Sequence, residues 1–187
     1  LLKNLIDLCV KNDNQKLYCA FIDYKKAFDT VWRSALWHKM LKSGITGKLY
    51  NVIVNMYSNI KSCVSHNGNL SDYFVSLNGV RQGENLSPFL FALFINDIEG
   101  FLTQNGCDPI QVTGADIHTY LKLLVIMYAD DTVLFANTKE NLQKCLNGLK
   151  LYCDKWKLQI NADKTKVLVF VDEFKYLGVK FSYNGNF

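Results

Sequence analysis

Apolar residues follow one another along this chain with two spacings, which predict an alternation of strands and helices. Residues 17–22 are consecutively apolar, too apolar for a half-exposed strand, and predict a central strand that ends at Asp23. The apolar runs 123–127 and 132–136 flank residues 128–131, which read Tyr-Ala-Asp-Asp. This arrangement predicts a strand, a tight turn and a second strand.

Helices are predicted where apolar residues recur every three or four positions. The segment 89–95 is apolar on nearly all sides and is expected to be deeply buried, with Ser87 and Pro88 as the N-cap and first residue of its helix. Asn67-Gly68 is typical of a type I′ turn and predicts a hairpin over 61–77, while 105–119 predicts a polar loop. Three further helical stripes are predicted: Leu36, Met40 and Leu41, with a helix stop at Gly44; Leu49, Ile53, Met56, Tyr57 and Ile60; and Leu142, Cys145, Leu146, Leu149, Cys153 and Trp156. Two closing strands are predicted at 166–171 and 176–181.

Strands that alternate with helices, without a strict βαβ repeat, predict an α+β fold in which helices cover one face of an antiparallel sheet. The chain has 187 residues, 49% of them hydrophobic, which is enough for one domain with a sizeable core. No apolar run is expected to approach the roughly 20 residues of a membrane span. The first residues contain neither an initiating Met nor a signal-peptide layout. We interpret the chain as a fragment of a longer protein that is intracellular, in the nucleus or the cytoplasm, and not secreted.

Cysteine and charge patterns narrow the class of protein further. The six cysteines form no C-x-x-C pair and are expected to be small buried hydrophobes in a reducing compartment, not zinc ligands or disulfides. Between residues 82 and 121 there are five acids and no Lys or Arg, whereas residues 139–166 contain seven Lys. This asymmetry favours a domain that binds a polyanion on one side, although a solvated lysine-rich helix face explains any single Lys equally well.

Two adjacent carboxylates, Asp130 and Asp131, stand at the tip of the predicted hairpin, where like charges repel. A divalent cation would offset that repulsion, and the structural alternative is a solvated Asp-rich turn. Asp23 ends the central strand, so its carboxylate is expected at the same edge of the sheet. Three carboxylates at adjacent strand ends can hold two Mg²⁺ ions about 3.5–4 Å apart for displacement at phosphorus. The alternative for Asp23 is a helix N-cap, for which Asp29 is the better candidate.

Two further features lie near these carboxylates in the predicted fold. Phe28 follows Asp23 by five residues, where a large ring would collide with a ribose 2′-hydroxyl and favour deoxynucleotides; the alternative is a plain core Phe. The turn 79–83 contains Gly83, which allows a ligand to approach the backbone closely, and Arg81 and Gln82, which can donate hydrogen bonds to a base, sugar or phosphate.

Five motifs, taken in order along the chain, resemble those of the reverse transcriptase domain of non-LTR (LINE-type) retrotransposons. They read F-I-D-Y-K-K-A-F-D at 21–29, G-V-R-Q-G-E-N-L-S-P-F-L-F at 79–91, Y-A-D-D at 128–131, L-Q-I-N-A-D-K-T-K at 158–166 and F-K-Y-L-G at 174–178. The order of the five, rather than any one of them, carries the resemblance, which covers essentially the whole chain.

The resemblance implies that residues 1–187 are a partial reverse transcriptase domain, a polymerase palm with partial fingers from a larger enzyme. It implies an RNA-directed DNA polymerase that uses an RNA template, a DNA primer, deoxynucleoside triphosphates and two Mg²⁺ ions, which Mn²⁺ can replace. No membrane is expected among its partners. The implied residues are Asp23, Asp130 and Asp131 as catalytic metal ligands; Lys164 as proton donor to pyrophosphate; Tyr24, Phe28, Arg81, Gln82, Gly83 and Tyr128 as nucleotide-binding residues; and Tyr176, Leu177 and Gly178 as the primer grip. Lys166 is the alternative to Lys164, because it lies two residues further on and is expected to face the same way on a strand.

Three alternatives remain beside this interpretation. An RNA-dependent RNA polymerase shares the palm but usually places a second Asp five residues after the first, where this chain has Phe28. A decayed retroelement copy would bind nucleic acid without catalysis, although every motif residue is intact here. A structural α+β domain would hold its carboxylates by coincidence. The family's earlier fingers motifs and its thumb would lie outside residues 1–187, so we expect the isolated chain to be weakly active or inactive.

Overall fold

The computed structural model describes residues 16–113, 120–169, 174–176 and 179–181. The helices are α1 (Ala27–Thr30), α2 (Arg33–Lys42), α3 (Gly47–Ser58), α4 (Leu86–Ile95), α5 (Ile98–Gln104) and α6 (Lys139–Trp156). The strands are β1 (Tyr18–Ile22), β2 (Lys61–Ser62), β3 (Ser65–His66), β4 (Asn69–Leu70), β5 (Phe74–Val75), β6 (Ile110–Thr113), β7 (Tyr120–Leu123), β8 (Val125–Tyr128), β9 (Asp131–Ala136), β10 (Lys166–Val169), β11 (Phe174–Tyr176) and β12 (Val179–Phe181).

The main sheet has four antiparallel strands in the order β10-β1-β9-β8. Strand β1 therefore has a partner on each side, which confirms the prediction of a central strand at this position. The register pairs Ile22 with Thr132, so Asp23, one residue further along, lies beside Asp131 at the end of the sheet. The β8–β9 hairpin is confirmed as well, with Tyr128 paired to Asp131.

Helices cover one face of this sheet. The side chains of Ala20, Ile22, Leu134 and Ala136 point from β1 and β9 into a core that α2, α4, α5 and α6 complete. Helix α6 packs across β1 and β9, α2 packs on α4, and α5 packs on α6. The predicted α+β class is thereby confirmed.

Helices α2 and α3 bury less of their apolar stripes than the sequence predicts. In α2, Leu36 and Met40 are fully buried, but Leu41 is 45% exposed. In α3, Ile53 and Tyr57 are buried, whereas Leu49 and Met56 are exposed. The reason is that each helix contacts the core along one edge of its stripe, so the residues on the other edge stay in solvent.

Helix α4 begins differently from the prediction. Asn85 is its N-cap, and Ser87 lies inside the helix, where its hydroxyl donates a hydrogen bond to the carbonyl of Arg81. The bond links Ser87 to the preceding turn instead of to a backbone N–H of its own helix, so the assignment of Ser87 as N-cap was wrong. Phe91 and Phe94 are fully buried as expected, but Phe89 is 55% exposed, so the helix is not buried on all sides.

The segment Leu86–Gln104, which is α4 and α5 together, is long and apolar enough to cross a membrane by length and composition. The sequence-based expectation that no segment approaches that length was therefore wrong. In the structure, however, the chain turns at residues 96–97, and Phe94, Ile98 and Leu102 are fully buried in the protein core. This burial identifies α4 and α5 as a pair of core helices.

The structure tests three further predictions, which concern a turn, a loop and a strand. Asn67 and Gly68 have φ angles of 48° and 80° and connect the paired strands β3 and β4, which confirms the type I′ turn. The predicted loop 105–119 was wrong at 110–113, because these residues pair with β7. The predicted strand 176–181 is instead parts of two strands, since β11 and β12 pair with each other as antiparallel neighbours.

Candidate active site

The ends of β1, β8 and β9 bring three carboxylates to one end of the sheet. Asp23 leaves β1, Asp130 lies in the turn between β8 and β9, and Asp131 begins β9. The backbone of Asp23 is held on two sides, because its N–H donates to Thr165 Oγ1 at 3.3 Å and its carbonyl accepts from the N–H of Asn161 at 2.7 Å. The segment before β10 therefore fixes the position of Asp23.

The turn that carries Asp130 has a strained backbone. Ala129 has a φ of 54°, in the left-handed region that costs a residue with a Cβ roughly 1–2 kcal/mol. An Asn-Gly pair would form a two-residue hairpin turn without that cost. Strain of this kind is concentrated at functional sites in proteins, and here it lies directly beside the carboxylate pair.

The electrostatics of the three carboxylates agree with their proximity. The pKa of Asp131 is raised, first by burial and then by the negative charges of Asp130 and Asp23. Among the described residues, no three His, Cys, Asp or Glu side chains form a ready-made metal-binding group. The carboxylates are nevertheless the donors that Mg²⁺ prefers, and Mg²⁺ is usually held by one or two carboxylates together with substrate phosphates. The chemistry of this donor set fits a divalent cation that binds with its substrate.

A cleft of about 630 Å³ adjoins the carboxylates. Six of the residues singled out from the sequence line it together: Asp23, Tyr24, Phe28, Gln82, Asp130 and Lys164. These six come from four separate segments of the chain, so the fold, and not the sequence order, assembles the cleft.

Tyr24 contributes less to the cleft than its position in the sequence suggests. Its side chain is only 4% exposed and packs edge-on against Phe91, with the ring centroids 6.1 Å apart. Burial raises the pKa of the Tyr24 hydroxyl, and the nearby Thr132 side chain opposes this shift. Neither the Tyr24 hydroxyl nor Thr132 Oγ1 makes a hydrogen bond of regular geometry within the described residues. The Tyr24 ring is therefore mainly a core side chain.

Phe28 and Gln82 stand between two clefts. The half-buried ring of Phe28 packs on Phe91, 5.4 Å away, and both Phe28 and Gln82 also line a second cleft of about 630 Å³ that contains Gly83. Gln82 Nε2 donates to Asp29 Oδ1 at 2.9 Å. Asp29 lies inside α1 and caps no helix, so its expected role as an N-cap was wrong.

Gly83 and Arg81 flank Gln82 in different surroundings. Gly83 has a φ of 83°, which favours glycine, and it lines the second cleft. Arg81 lines neither of the two clefts that contain Gln82. Its guanidinium instead pairs with Glu84 at 2.7 Å and donates to the carbonyl of Met56 at 3.1 Å. The structure therefore brings Gln82 and Gly83 to a cleft but does not bring Arg81 there.

The two candidate lysines near the end of the sheet are separated by the fold. Lys164 lies in the turn before β10 and lines the cleft, whereas Lys166 begins β10 and donates from Nζ to the carbonyl of Asp163 at 2.9 Å. The expectation that both face the same way on one strand was wrong, because Lys164 precedes the strand. Lys164 remains the candidate.

The remaining predicted site residues lie at or beyond the edge of what the structure describes. The backbone of Tyr128 pairs with Asp131, and Tyr176 ends β11. Leu177 and Gly178 lie outside the described residues. The primer-grip assignment therefore stays a prediction.

Several residues of the cleft were not predicted from the sequence. Lys25 and Lys26 line it, and Lys26 has a φ of 48°. The available signal in the sequence was their position shortly after Asp23, within the motif 21–29. The cleft lysines Lys25, Lys26 and Lys164 make no ion pair with any described residue, although Asp23 and Asp130 line the same cleft. Gln159 and Asn161 also line it, and both belong to the motif 158–166, in which a role was predicted for Lys164 alone.

Proteins of retrotransposable elements are similar to this chain over most of its length. The Pol polyprotein of the type-2 retrotransposable element R2DM from Drosophila melanogaster is 26% identical over 97% of this chain and 19% of its own length. The RNA-directed DNA polymerase from the mobile element jockey of the same fly is 28% identical over 82% of this chain and 16% of its own length. The chain thus spans less than a fifth of the length of these relatives.

Solved structures share the fold at lower identity. Apo telomerase from Candida tropicalis superposes with a TM-score of 0.67 at 15% identity, over 96% of this chain and 33% of the telomerase chain. Residues 2–181 match the family described as reverse transcriptase (RNA-dependent DNA polymerase). The resemblance of the five motifs is confirmed, and the chain belongs to the reverse transcriptase family, with relatives among non-LTR retrotransposons.

Proposed function

We propose that this chain is the palm and part of the fingers of a retrotransposon polymerase that adds deoxynucleotides to the 3′ end of a DNA primer on an RNA template. The observation that supports the proposal most is the single cleft in which Asp23, Asp130 and Lys164 lie with Phe28 and Gln82. Carboxylates, a cation and an aromatic wall are the groups that a nucleotide triphosphate and its metal ions require.

Asp23, Asp130 and Asp131 would hold two divalent cations, Mg²⁺ or Mn²⁺, together with the substrate phosphates. When bound, such ions supply Lewis-acid stabilisation of the charge that develops at phosphorus. The protein's part is to hold the carboxylates close together despite their repulsion. The anchoring of the Asp23 backbone by Asn161 and Thr165 supports this role.

Phe28 would select the sugar. Its ring forms part of the wall of the cleft and is supported from behind by Phe91. A ring that is backed by a fully buried side chain cannot yield easily to an extra hydroxyl on the ribose. Deoxynucleotides would therefore fit the cleft better than ribonucleotides.

Gln82 and Lys164 would act on the two ends of the nucleotide. Gln82 lines the cleft and is oriented by the hydrogen bond from its Nε2 to Asp29, so its amide oxygen would remain available as an acceptor. Lys164, exposed at the rim, would hold a proton at Nζ and donate it to the departing pyrophosphate. Tyr176, Leu177 and Gly178 would hold the primer end, and Tyr128 would contact the nucleotide, as predicted from the motifs. Arg81, which lines neither cleft, has no role in this proposal.

The test is primer extension on an RNA template with Mg²⁺, using the full-length retroelement protein that carries this chain. The paired variant is Asp130→Asn, which removes one negative charge from the cleft and changes the side-chain volume little. We expect the unsubstituted protein to incorporate deoxynucleotides and the variant to lose incorporation while its thermal unfolding midpoint stays the same or rises. Equal rates for the two proteins would contradict the assignment of Asp130.

A decayed copy that binds nucleic acid without catalysis is the second candidate, and the strained Ala129 turn argues against it. Backbone strain is concentrated at functional sites, and this turn keeps it together with both carboxylates. If the unsubstituted protein is folded and binds a primer–template duplex but incorporates nothing, the decayed copy becomes the better interpretation.

A further inference from the structure

Arg33 is buried at the start of α2 without a carboxylate partner among the described residues. Its side chain donates to four backbone carbonyls: Gly79 O at 2.8 Å, Asn78 O at 2.9 Å, Ser76 O at 2.6 Å and Tyr57 O at 3.3 Å. A cation at the first position of a helix also lies at the unfavourable end of the helix dipole. Stability of α2 therefore does not explain why an arginine stands here.

The four carbonyls belong to the loop that leads into the nucleotide motif and to the end of α3. Three of them are in residues 76–79, and the fourth, from Tyr57, is in the last turn of α3, where helix carbonyls lack partners within the helix. The guanidinium also lies 5.3 Å from the centre of the Tyr57 ring. One side chain thus fixes this loop against two helices.

The same loop is pressed against the segment that carries Phe28. The N–H of Gly79 donates to the carbonyl of Val31 at 2.8 Å, and the N–H of Val80 donates to the carbonyl of Phe28 at 2.7 Å. A Cβ on Gly79 would come within 2.6 Å of the carbonyl oxygen of Asp29, so the two backbones are in direct contact. The place of Gln82 relative to Phe28 depends on this contact, because Gln82 follows two residues after Val80.

We infer that Arg33 is a positioning residue for nucleotide selection: it holds loop 76–79 so that Gln82 and Phe28 keep a fixed spacing across the cleft. Only the kinetic consequence of this inference rests on the proposed function. Arg33 itself lines neither of the two clefts that Phe28 and Gln82 share, so its effect on the nucleotide passes through the loop. Its planar fork of donors suits this work, since a lysine ammonium cannot reach acceptors spread over four residues.

The experiment compares Arg33→Lys and Arg33→Gln with Lys39→Met in the full-length protein. Lys39 is the matched control because it is also a buried cation on α2, yet its partners are Phe94, Asp97 and Tyr152, away from the loop. Two readouts are needed: amide hydrogen exchange of Gly79 and Val80 relative to amides of β1, and the KM and kcat for deoxynucleotides and ribonucleotides.

We expect both Arg33 variants to speed exchange at Gly79 and Val80 selectively, and Lys39→Met to leave that ratio unchanged. The Arg33 variants should raise the KM for deoxynucleotides about tenfold or more, with a smaller change in kcat, and should reduce the discrimination against ribonucleotides. Lys39→Met should change neither kinetic quantity.

Three results would overturn the inference. One is unchanged exchange at Gly79 and Val80 in both Arg33 variants. Another is faster exchange with unaltered KM and sugar selectivity. The third is failure of both variants to fold while Lys39→Met folds, which would make Arg33 a purely structural residue. If the unsubstituted protein incorporates nothing, the proposed function fails, and exchange alone then decides whether Arg33 positions the loop.

Discussion

Lysine side chains have opposite surroundings in the cleft and in the helical layer behind the sheet. Lys25, Lys26 and Lys164 lie at the cleft without an ion-pair partner among the described residues. Lys39, in the helical layer, is 4% exposed and donates to Phe94 O, to Asp97 Oδ1 and to the hydroxyl of Tyr152. Its Nζ also lies 3.8 Å from the centre of the Trp156 ring.

The difference separates charges that stabilise the fold from charges that remain available to a ligand. In the helical layer, the Lys39 ammonium has three hydrogen-bond acceptors inside the protein, as a buried charge requires. In the cleft, three lysines and two carboxylates stay apart from one another, so phosphate groups and metal ions can take the place of internal partners. Substitutions in the cleft should therefore change activity, and substitutions around Lys39 should change stability.

The largest effect is expected for Asp23→Asn in the cleft. A metal ion contributes several kcal/mol of transition-state stabilisation, so loss of a ligand should lower the incorporation rate by about three orders of magnitude or more. The free energy of unfolding should stay the same or rise slightly, since repulsion with Asp131 is removed. Single-turnover primer extension and thermal unfolding measure the two quantities. A strongly destabilised Asp23→Asn variant would contradict the expectation that substitutions in the cleft change activity and not stability.

Phe28→Ala should change sugar selectivity next most strongly. Without the ring, the cleft has room for the 2′-hydroxyl, and the kcat/KM for ribonucleotides relative to deoxynucleotides should rise about tenfold or more. Phe89→Ala is the matched control, because Phe89 is exposed on α4 and lines neither cleft. The gate assignment for Phe28 is contradicted if the two variants show the same selectivity as the unsubstituted protein.

Lys39→Met should lower the free energy of unfolding by about 1–3 kcal/mol, because hydrogen bonds to a charged group are lost and two of their acceptors, Phe94 O and the Tyr152 hydroxyl, stay buried. The deoxynucleotide KM should not change. Chemical denaturation measures the first quantity, and steady-state primer extension measures the second. A Lys39→Met variant with normal stability would show that the network around Lys39 contributes little to the fold.

The stability difference between the unsubstituted protein and Lys39→Met should depend on pH. Burial lowers the pKa of Lys39 to about 8, while the bond to Asp97 opposes this shift and the charges of Lys155 and Lys42 add to it. Between pH 8 and its ordinary pKa of 10.5, the unfolded chain keeps a proton on Lys39 that the folded protein has released. The contribution of Lys39 should therefore rise with pH in this window, by at most about 1.4 kcal/mol per pH unit. Denaturation of both proteins at pH 7, 8, 9 and 10 tests the sign, and a flat difference would contradict it.

The smallest effect is expected for Lys150→Met on the outer face of α6. Lys150 pairs with Asp154 at 2.8 Å, but the two side chains are 73% and 62% exposed. Exposed pairs of this kind contribute little because water and salt screen them, so the free energy of unfolding should not change measurably. A measurable change would mean that exposure alone does not distinguish the two kinds of lysine.

The parts of the fold that the sequence predicts are those whose signal is local. Residues 17–22 are apolar throughout because β1 has a neighbour on each side, and the Asp130-Asp131 turn is marked by its flanking apolar runs. The cleft residues were found because their motifs follow the order of a known family. Residues whose role depends on distant partners gave no such signal.

Arg33 illustrates the limit most clearly. Its partners Ser76, Asn78 and Gly79 lie more than 40 residues away, and no periodicity in α2 distinguishes it from an exposed arginine. The same holds for Asp29, whose partner Gln82 is 53 residues away, and whose position near a helix start suggested a cap. Local patterns predicted the elements, whereas these contacts arise only when the elements pack.

The position of β1 in the sheet has a consequence for synthesis of the protein on the ribosome. Both partners of β1 come late in the chain, since β9 begins at Asp131 and β10 ends at Val169. At a translation rate of about 5–20 residues per second, the apolar strand waits roughly 7–30 seconds before both of its edges can be paired. During that interval an unpaired apolar strand can associate with other chains. The carboxylates at the end of β1 and β9 therefore come together only after the interval in which the nascent chain is most open to aggregation.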